Sequence, residues 1–234
     1  MSFKELLLKN FITYYFYKKI KIFRNFSKNE HLGEFGEDIF IRRFFKNETK
    51  GFYVDIGCYH PIKGSLTYYL FKKGWKGLNV DLSKVSVDLF KISRPRDYNI
   101  NAAVTDFDGD TSYYESGAIN QQNSLISENE KKKIKVKAYK LNTLLNDFKI
   151  SQVDYLNIDV EGNEFKVISN FDFEKFQPKL ISIEQNVYNS EKLFDDECHK
   201  LLSAKGYFLT SKIGVTCIYL DKKYEKSISS IMSI

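Results

Sequence analysis

The stretch that decides the fold is Asp55-Ile56-Gly57-Cys58-Tyr59-His60-Pro61, which follows the apolar run Phe52-Tyr53-Val54. A strand that ends in Asp-x-Gly and leads into a helix is typical of a nucleotide-binding site, because the glycine lets a ligand approach the backbone. The helix-like segment over residues 64–73 would add unpaired N–H groups at its N-terminus. The pattern predicts a ligand site at the end of the first strand.

A second acid, Asp81, ends the next predicted strand. An acid in that position accepts hydrogen bonds from ribose hydroxyls. A dinucleotide site would need G-x-G-x-x-G, but Gly57 is followed by residues 58–61, which are too bulky for close contact with a pyrophosphate. The loop therefore favours a nucleoside ligand without phosphates, and S-adenosylmethionine is the common one. The alternative is an ordinary strand-to-helix turn in another α/β protein.

Length, composition and charge indicate a globular protein with a mildly basic surface. The chain has 234 residues, of which 43% are hydrophobic, and this fits one domain with an appendage. The net charge of +6 favours contact with anionic membranes or anionic glycans. It is too small to indicate nucleic-acid binding, and no zinc-finger or RNP-type motif supports such a partner.

The cysteines and the apolar runs indicate a cytoplasmic protein. The three cysteines, Cys58, Cys198 and Cys217, are far apart and form no C-x-x-C pair, which disfavours structural zinc and a disulfide framework. We expect Cys58 to be a small packed residue rather than a nucleophile. No apolar run reaches the ~18 residues that span a bilayer, and no signal peptide is visible.

Residues 1–30 mix large apolar side chains with lysine and arginine. Wound as a helix, they would form a broad aromatic face with a basic rim, which is typical of a helix at a membrane interface. The alternatives are a helix that packs on its own domain or on a second subunit in a homodimer. The membrane interpretation would make the protein peripheral on the inner membrane face.

The rest of the chain alternates between predicted strands and helices, which indicates a Rossmann-like α/β fold with a mostly parallel sheet and helices on both faces. Strands are predicted at 52–57, 76–81, 98–104, 153–159 and 179–185, and helices at 36–45, 64–73, 83–92, 141–148, 162–170 and 190–205. The runs 207–210 and 215–220 are joined by four residues, so we expect a hairpin whose final strand is antiparallel. This ending distinguishes a methyltransferase sheet from a dehydrogenase sheet.

Residues 107–140 look like an insertion, with strands at Thr111–Glu115 and Ile134–Tyr139 and a polar run at Ser116–Asn123. The lysines at 131–133 indicate a solvated face, or alternatively a guide for an anionic substrate. The predicted divisions of the chain are a basic aromatic segment at 1–30, a domain at 31–221 and a tail at 222–234.

Several motifs together resemble the FkbM family of S-adenosylmethionine-dependent methyltransferases over about residues 33–220. They are Gly36-Glu37-Asp38, Gly51 to Gly57 with His60-Pro61, Ser65-Leu66-Thr67-Tyr68, Lys73 to Gly77 with Asp81, Arg94-Pro95-Arg96-Asp97 and Ile158 to Gly162. Two positions depart from the family pattern, since Leu66 replaces an asparagine and Leu82 a proline. The resemblance implies a class I methyltransferase that uses S-adenosylmethionine to O-methylate a sugar or secondary metabolite. Many relatives are associated with surface polysaccharide synthesis.

Within this interpretation, the strand ends should meet at one edge of the sheet and hold the cofactor. Asp55 and Gly57 would frame its methionine part, Glu37 its ammonium group and Asp81 its ribose, while the small Ala102 and Ala103 would leave room for adenine. The remaining expected cofactor contacts, from the motifs and the fourth strand end, are Tyr59, Pro61, Ser65 and Asp159.

The predicted catalytic residues are Asp159, Glu161 and His60. Asp159 ends the fourth strand, where a carboxylate could take the proton of the acceptor hydroxyl. Glu161 is a second chemical candidate, although an acid that starts a helix also favours the helix dipole. His60 is either a base or a hydrogen-bonding residue of the loop. Glu184 could face the acceptor, and no metal site is predicted, although Asp159 and Glu184 could hold a divalent ion.

The leading function is O-methylation of a sugar or surface-glycan precursor, which could be linked to a lipid. One alternative is an NAD-dependent sugar-modifying oxidoreductase, which the missing G-x-G-x-x-G and the hairpin ending disfavour. The other is a non-catalytic membrane or assembly module on a methyltransferase fold, which the acids at 55, 81, 159 and 161 disfavour.

Overall fold

The computed structural model describes residues 11–24, 32–115, 132–226 and 228. Its helices are α1 (Phe11–Arg24), α2 (Glu37–Phe44), α3 (Tyr68–Lys72), α4 (Lys84–Ser93), α5 (Leu141–Asp147), α6 (Glu164–Ser169), α7 (Ser190–Asp195) and α8 (Glu197–Ala204). Its strands are β1 (Phe52–Ile56), β2 (Lys76–Asp81), β3 (Tyr98–Asn101), β4 (Ala103–Val104), β5 (Gly109–Glu115), β6 (Lys132–Tyr139), β7 (Tyr155–Ile158), β8 (Leu180–Glu184), β9 (Tyr207–Ile213) and β10 (Thr216–Asp221).

The main sheet has seven strands in the order β3-β2-β1-β7-β8-β10-β9. The pairs from β3 to β8 are parallel, whereas β10 runs antiparallel to both β8 and β9. The prediction of a mostly parallel sheet with an antiparallel hairpin strand is therefore confirmed. Because the hairpin folds back, β10 lies between β8 and β9 rather than at the edge of the sheet.

The register of the central strands brings the predicted site residues to one edge of the sheet. Asp55 of β1 lies opposite Asn79 of β2 and Asn157 of β7. The three parallel strands then end within two residues of this level, and their carboxyl ends open on the same side. The strands outside this pair, β2 and β8, end at Asp81 and Glu184. The ends of all four strands border a cavity.

The insertion forms a second, three-stranded sheet in the order β4-β6-β5. The segment predicted as one strand at 98–104 divides, since β3 joins the main sheet and β4 pairs with β6. The strands expected at Thr111–Glu115 and Ile134–Tyr139 are present within β5 and β6. The polar run at Ser116–Asn123 lies outside the described residues.

Of the lysines at 131–133, Lys133 is exposed, as the solvated interpretation predicts, whereas Lys131 lies outside the described residues. Lys133, Lys135 and Lys137 alternate along the strand and are exposed. The Nζ of Lys137 lies 2.8 Å from the Asp110 carboxylate on β5. One charge of this row is therefore balanced within its own sheet.

Three predicted helices have different bounds in the structure. The helix expected at 64–73 is only Tyr68–Lys72, because the preceding residues form a turn that side chains hold. The helix expected at 162–170 begins at Glu164. The segment at 190–205 is two helices, because extended Asp196 ends α7 and its carboxylate accepts hydrogen bonds from the N–H groups that begin α8.

The hydrophobic core lies on both faces of the main sheet. Val54 and Ile56 of β1 join one cluster, with Leu156 and Ile158 of β7. Tyr53 points to the opposite face, as strand geometry requires. There it joins the other cluster, which includes Ile41, Phe45, Leu70, Trp75, Tyr155, Leu180, Ile218 and Leu220. Tyr224 and Ile228 pack against this second cluster, so the first residues of the predicted tail are part of the domain.

Helix α1 packs on α4 of the same chain through polar contacts. The hydroxyl of Tyr14 donates to Asp88 at 3.0 Å, and the Nζ of Lys18 lies 2.8 Å from the same carboxylate. Residues 11–24 of the predicted basic aromatic segment thus contact their own domain through a polar side of the helix. Within the described ranges, no helix is both long and apolar enough to cross a membrane.

Candidate active site

A cavity of about 330 Å³ lies at the carboxyl edge of the main sheet. It is bordered by the ends of β1, β2, β7 and β8, by the segment that leads into β4 and by the start of β10. Ten of the twelve predicted site residues line it: Glu37, Asp55, Gly57, Tyr59, Ser65, Asp81, Ala102, Ala103, Asp159 and Glu161. The topology thus gathers side chains that are far apart in the sequence around one space.

Gly57 joins the two central strand ends. Its φ is +78°, and a Cβ atom there would lie 1.6 Å from the carbonyl oxygen of Asp159. No side chain fits such a gap, so glycine is required by the approach of the β7 end as well as by the backbone conformation. We expected this glycine to make room for a ligand. In the structure it also makes room for the backbone of Asp159. The N–H of Asp159 also donates to the Ile56 carbonyl at 2.9 Å.

Asp81 is fixed at the end of β2 by two backbone donors. One carboxylate oxygen accepts from the N–H of Tyr59 at 2.8 Å, and the other accepts from the N–H of Ser83 at 2.7 Å. Burial raises the pKa of Asp81 to about 6, although these N–H groups favour the charged form. Each oxygen retains a further acceptor position, so the side chain can still accept from hydroxyl groups in the cavity.

Asp55 is buried at the floor of the cavity, and both of its oxygens accept from protein side chains. Thr67 donates at 2.6 Å and Asn157 at 2.9 Å. Burial raises the pKa of Asp55, and these two hydrogen bonds limit the rise. Asp55 therefore connects β1 to β7 and to the turn before α3, which makes it a support of the cavity wall.

Arg94 lies beneath the same turn and is fully buried. Its guanidinium donates to Thr67 at 2.8 Å, to Ser65 at 2.7 Å and to the carbonyl of Pro61. These bonds hold residues 61–67 in a turn, which explains why α3 begins only at Tyr68. The cavity is consequently lined by Gly64, Ser65 and Leu66, which precede the helix.

His60 and Pro61 are the two predicted site residues that do not line the cavity. His60 is buried, and its Nδ1 accepts from the N–H groups of Ile62 and Lys63 at 3.1 and 3.0 Å. A ring nitrogen that accepts two backbone hydrogen bonds shapes the loop, and this nitrogen is occupied within it. The geometry favours the loop role of His60 over base catalysis, and Pro61 contributes its carbonyl to Arg94 rather than a surface to the cavity.

Asp159, Glu161 and Glu184 form a group of carboxyls at the β7–β8 end of the cavity, with ligand oxygens within 4.8 Å of one another. Asp159 is open to the cavity, but the walls around it screen its carboxyl from bulk water. This desolvation and the nearby charge of Glu184 raise the pKa of Asp159 well above its usual value.

The comparison with family models decides the class of protein. The model described as the methyltransferase FkbM domain matches residues 55–209, which is more than half of the chain. The chain belongs to the FkbM methyltransferase family. The predictions of this family, of a class I methyltransferase fold and of a methyltransferase are thereby confirmed. A search of curated proteins finds no match to the chain, and a search of solved structures finds none either.

In this FkbM methyltransferase, Glu161 precedes α6 rather than starting it. Glu161 has a φ of +53° and is followed by Gly162 at +98°, so the two residues form a left-handed turn. Glu164 is the first acid of the helix, and its carboxylate accepts from the N–H groups of Val160 and Gly162. The prediction that Glu161 starts the helix and interacts with its dipole is therefore wrong. Glu164 occupies that position, while Glu161 lines the cavity.

Another acid that lines the cavity, Glu37, is the first residue of α2. Its carboxylate accepts from the N–H of Phe35 at 2.8 Å, while Asp38 accepts from the N–H groups of Leu32 and Gly33. The pair of acids thus folds the preceding loop against the domain. Glu34 and Phe35 of this loop line the cavity, and no feature of the sequence separates them from other loop residues.

Other lining residues of the FkbM methyltransferase were also missed. Asn157 could have been found from its position two residues before Asp159 in a parallel strand. Val215 and Thr216 line the cavity because β10 starts beside the end of β8, with Thr216 opposite Glu184. That contact follows from the antiparallel insertion of β10, so the strand order was needed to predict it.

The three carboxyls of the β7–β8 end are also of the kind that can bind a divalent cation. The absence of a metal stays a prediction. Cys58 lines the cavity as well, and burial together with the charges of Asp81 and Asp55 raises the pKa of its thiol well above the usual value. A thiol that keeps its proton is a packed side chain, as expected.

Proposed function

We propose that this FkbM methyltransferase transfers the methyl group of S-adenosylmethionine to a hydroxyl of a sugar or surface-glycan precursor. The observation that carries the proposal is the distribution of acids along one cavity. A positioned carboxylate, Asp81, lies at the β2 end, and a crowded pair, Asp159 and Glu184, lies at the β7–β8 end. The Asp81 carboxylate is suited to accept hydrogen bonds from hydroxyls and hold them in position, and the crowded pair is suited to take a proton from a hydroxyl.

The donor set of the cavity fits a cationic nucleoside. Asp81 would accept from the ribose hydroxyls, Glu37 would face the ammonium group, and Ala102 and Ala103 leave the wall between them free of long side chains. A pyrophosphate would meet the carboxylates of Asp55, Asp81 and Glu37 in the same space, and like charges repel. This arrangement supports S-adenosylmethionine over a dinucleotide such as NAD.

S-adenosylmethionine, when bound, supplies an activated methyl group on a sulfonium. The chain must align the acceptor and take the proton of its hydroxyl. Asp159 and Glu184 lie together at one end of the cavity, where a carboxylate oxygen can accept a hydrogen bond from that hydroxyl. As the oxygen gains its new bond, its proton would move to the pair.

The polarity of the β7–β8 end supports a sugar as the acceptor. Besides the acidic pair, Glu161, Asn186 and Thr216 line the cavity. A wall rich in oxygen and amide groups suits a molecule with several hydroxyls, and its polarity disfavours an apolar acceptor. We place the reaction in the cytoplasm, because all three cysteines of the chain are free and buried.

The first test is a thermal-shift comparison of S-adenosylhomocysteine with NAD. A ligand at 100 times its Kd stabilises the native state by ~2.7 kcal/mol, which corresponds to a rise in Tm of a few degrees. We expect S-adenosylhomocysteine to raise the Tm with micromolar affinity and NAD to leave it unchanged. A shift with NAD alone would refute the proposed cofactor.

The second test uses S-adenosylmethionine with a labelled methyl group and a panel of lipid-linked and free glycan precursors. We expect label in the glycan fraction as an alkali-stable ether, and none with the Asp159→Asn protein. Label in an amine or a carboxylate ester instead would keep the methyltransferase and refute O-methylation of a hydroxyl.

A further inference from the structure

One surface of helix α1 has no part in the proposed reaction. Tyr15, Phe16 and Ile20 expose 37%, 58% and 60% of their surface. Phe16 and Ile20 are one helical turn apart. Phe16 lies two residues from Tyr14, and Ile20 lies two residues from Lys18, which is ~200° around the helix in each case. Tyr14 and Lys18 are the residues that contact α4. The apolar side chains therefore point away from the domain. We call Tyr15, Phe16, Lys19 and Ile20 the outer α1 face.

The helix is held in this orientation by Asp88. Tyr14 and Lys18 both bind this carboxylate, and Lys84 of α4 lies 2.9 Å from it. Burial acts to raise the pKa of Asp88, but the hydrogen bonds from Lys18 and Lys84 outweigh it and keep the pKa below its usual value. Asp88 is thus charged at neutral pH, and its contacts turn the outer α1 face towards the surroundings.

We propose that the outer α1 face docks on the surface of an anionic lipid bilayer. Besides Lys18, which is paired with Asp88, the helix FITYYFYKKIKIFR contains three basic residues and no acid, so its charge is complementary to such a surface. The Nζ of Lys19 lies 4.9 Å from the centre of the Tyr15 ring, which places a basic and an aromatic group side by side. Aromatic rings beside lysine are the side chains that settle at the headgroup level of a membrane.

A second copy of the chain fits this surface less well. A helix of 14 residues is ~21 Å long, so a face ~10 Å wide offers roughly 200 Å², whereas a stable interface buries about 800 Å² on each partner. Two copies would also bring Lys19 against another basic helix. Docking would bring the cavity to acceptors carried on lipids, a consequence that rests on the proposed function.

The test is co-sedimentation of the full chain with vesicles. Vesicles of phosphatidylcholine with phosphatidylglycerol should bind the protein, vesicles of phosphatidylcholine alone should bind it weakly, and added salt should reduce the binding. The double variant Phe16→Ser/Ile20→Ser should bind at least ~10-fold more weakly. Phe107→Ser, which removes another exposed ring (43%), is the matched control and should bind as wild type.

Equal binding of wild type and the double variant, or equal weak binding to both vesicle types, would overturn the proposal. So would a dimer in light scattering that the double substitution converts to a monomer, because a second copy would then cover the face. The substituted side chains are exposed, so an unchanged Tm is expected and should be checked. Affinity for S-adenosylhomocysteine, measured on the same samples, tests the proposed function separately.

Discussion

At the β1–β2 end of the cavity, Asp55 and Asp81 each accept two hydrogen bonds from protein donors, whereas at the β7–β8 end Asp159 faces other carboxyls. The first pair is held in place by its surroundings, and its hydrogen bonds oppose the effect of burial on its pKa values. Asp159 has both burial and negative neighbours acting in the same direction. We infer that the β1–β2 acids build and position the site, while Asp159 is arranged for chemistry at a cost in stability.

The largest expected effect is on stability, at Asp55. Asp55→Ala should lower the free energy of unfolding by ~3 kcal/mol, because Thr67 and Asn157 lose their acceptor and buried Arg94 loses a negative charge that interacts with it. Urea unfolding at neutral pH measures this. Asp55→Asn, which keeps an acceptor oxygen, is the control and should cost less. An unchanged unfolding midpoint in the alanine variant would mean that Asp55 does not support the wall.

The second effect is on turnover, at Asp159. Asp159→Asn should lower kcat by ~10²-fold or more, because the amide cannot take the proton of the acceptor hydroxyl, while the affinity for S-adenosylhomocysteine should stay the same. Asp110→Asn, at an exposed acid of β5, is the matched control. Equal turnover in wild type and the Asp159 variant would place the base elsewhere.

The same Asp159 variant should differ from Asp55→Ala in the sign of its stability change. Because the pKa of Asp159 is raised in the folded state, its contribution to stability is fully present below the unfolded pKa of ~3.9. That contribution is lost as pH rises through the folded pKa. Asn cannot ionise, so the Tm of Asp159→Asn should exceed that of wild type at pH 8 and match it near pH 4. A lower Tm at pH 8 would contradict the contrast between the two ends.

A smaller effect is expected on affinity, at Asp81. Asp81→Ala should weaken binding of S-adenosylhomocysteine by ~1–3 kcal/mol through loss of charge-assisted hydrogen bonds to the ribose. Calorimetry measures it, and an unchanged Kd would remove Asp81 from the ligand site. The backbone N–H groups of Tyr59 and Ser83 also lose their acceptor in this variant. Asp81→Asn, which can still accept, is therefore the better structural control.

The smallest effect is the pH dependence of the same affinity. Because the pKa of Asp81 is raised to about 6, its carboxylate gains a proton as pH falls through that value and accepts less strongly. The Kd for S-adenosylhomocysteine should therefore rise by up to ~10-fold between pH 7.5 and pH 5. The Asp81→Asn protein should lack this dependence, and an identical profile in both proteins would assign the titration to another group.

The sequence allowed the positions of Asp55, Asp81 and Asp159 to be predicted, because parallel strands end at one edge and each acid follows an apolar run. It did not predict the turn at 61–67, where a hydrogen-bonded arginine outweighs the local preference for helix. Nor did it predict that His60 would turn away from the cavity. Both results depend on side chains that meet only after folding, and no periodic pattern encodes such contacts.

The insertion of β10 shows the same limit at the level of topology. The hairpin was predictable from the short connection between its two apolar runs. The short connection does not specify which of its two strands pairs with β8, and the pairing of β10 with β8 brings Thr216 to the cavity. The cavity-lining residues of β10 could therefore not be predicted by considering each strand separately.

The buried position of Arg94 has a consequence for the order in which the chain folds. Residues 61–67 are held by a guanidinium that comes from the end of α4, about 30 residues later in the chain. During synthesis this turn cannot take its final form until Arg94 has emerged and α4 has docked on the sheet. The amides of this turn should therefore gain protection from hydrogen exchange together with helix α4.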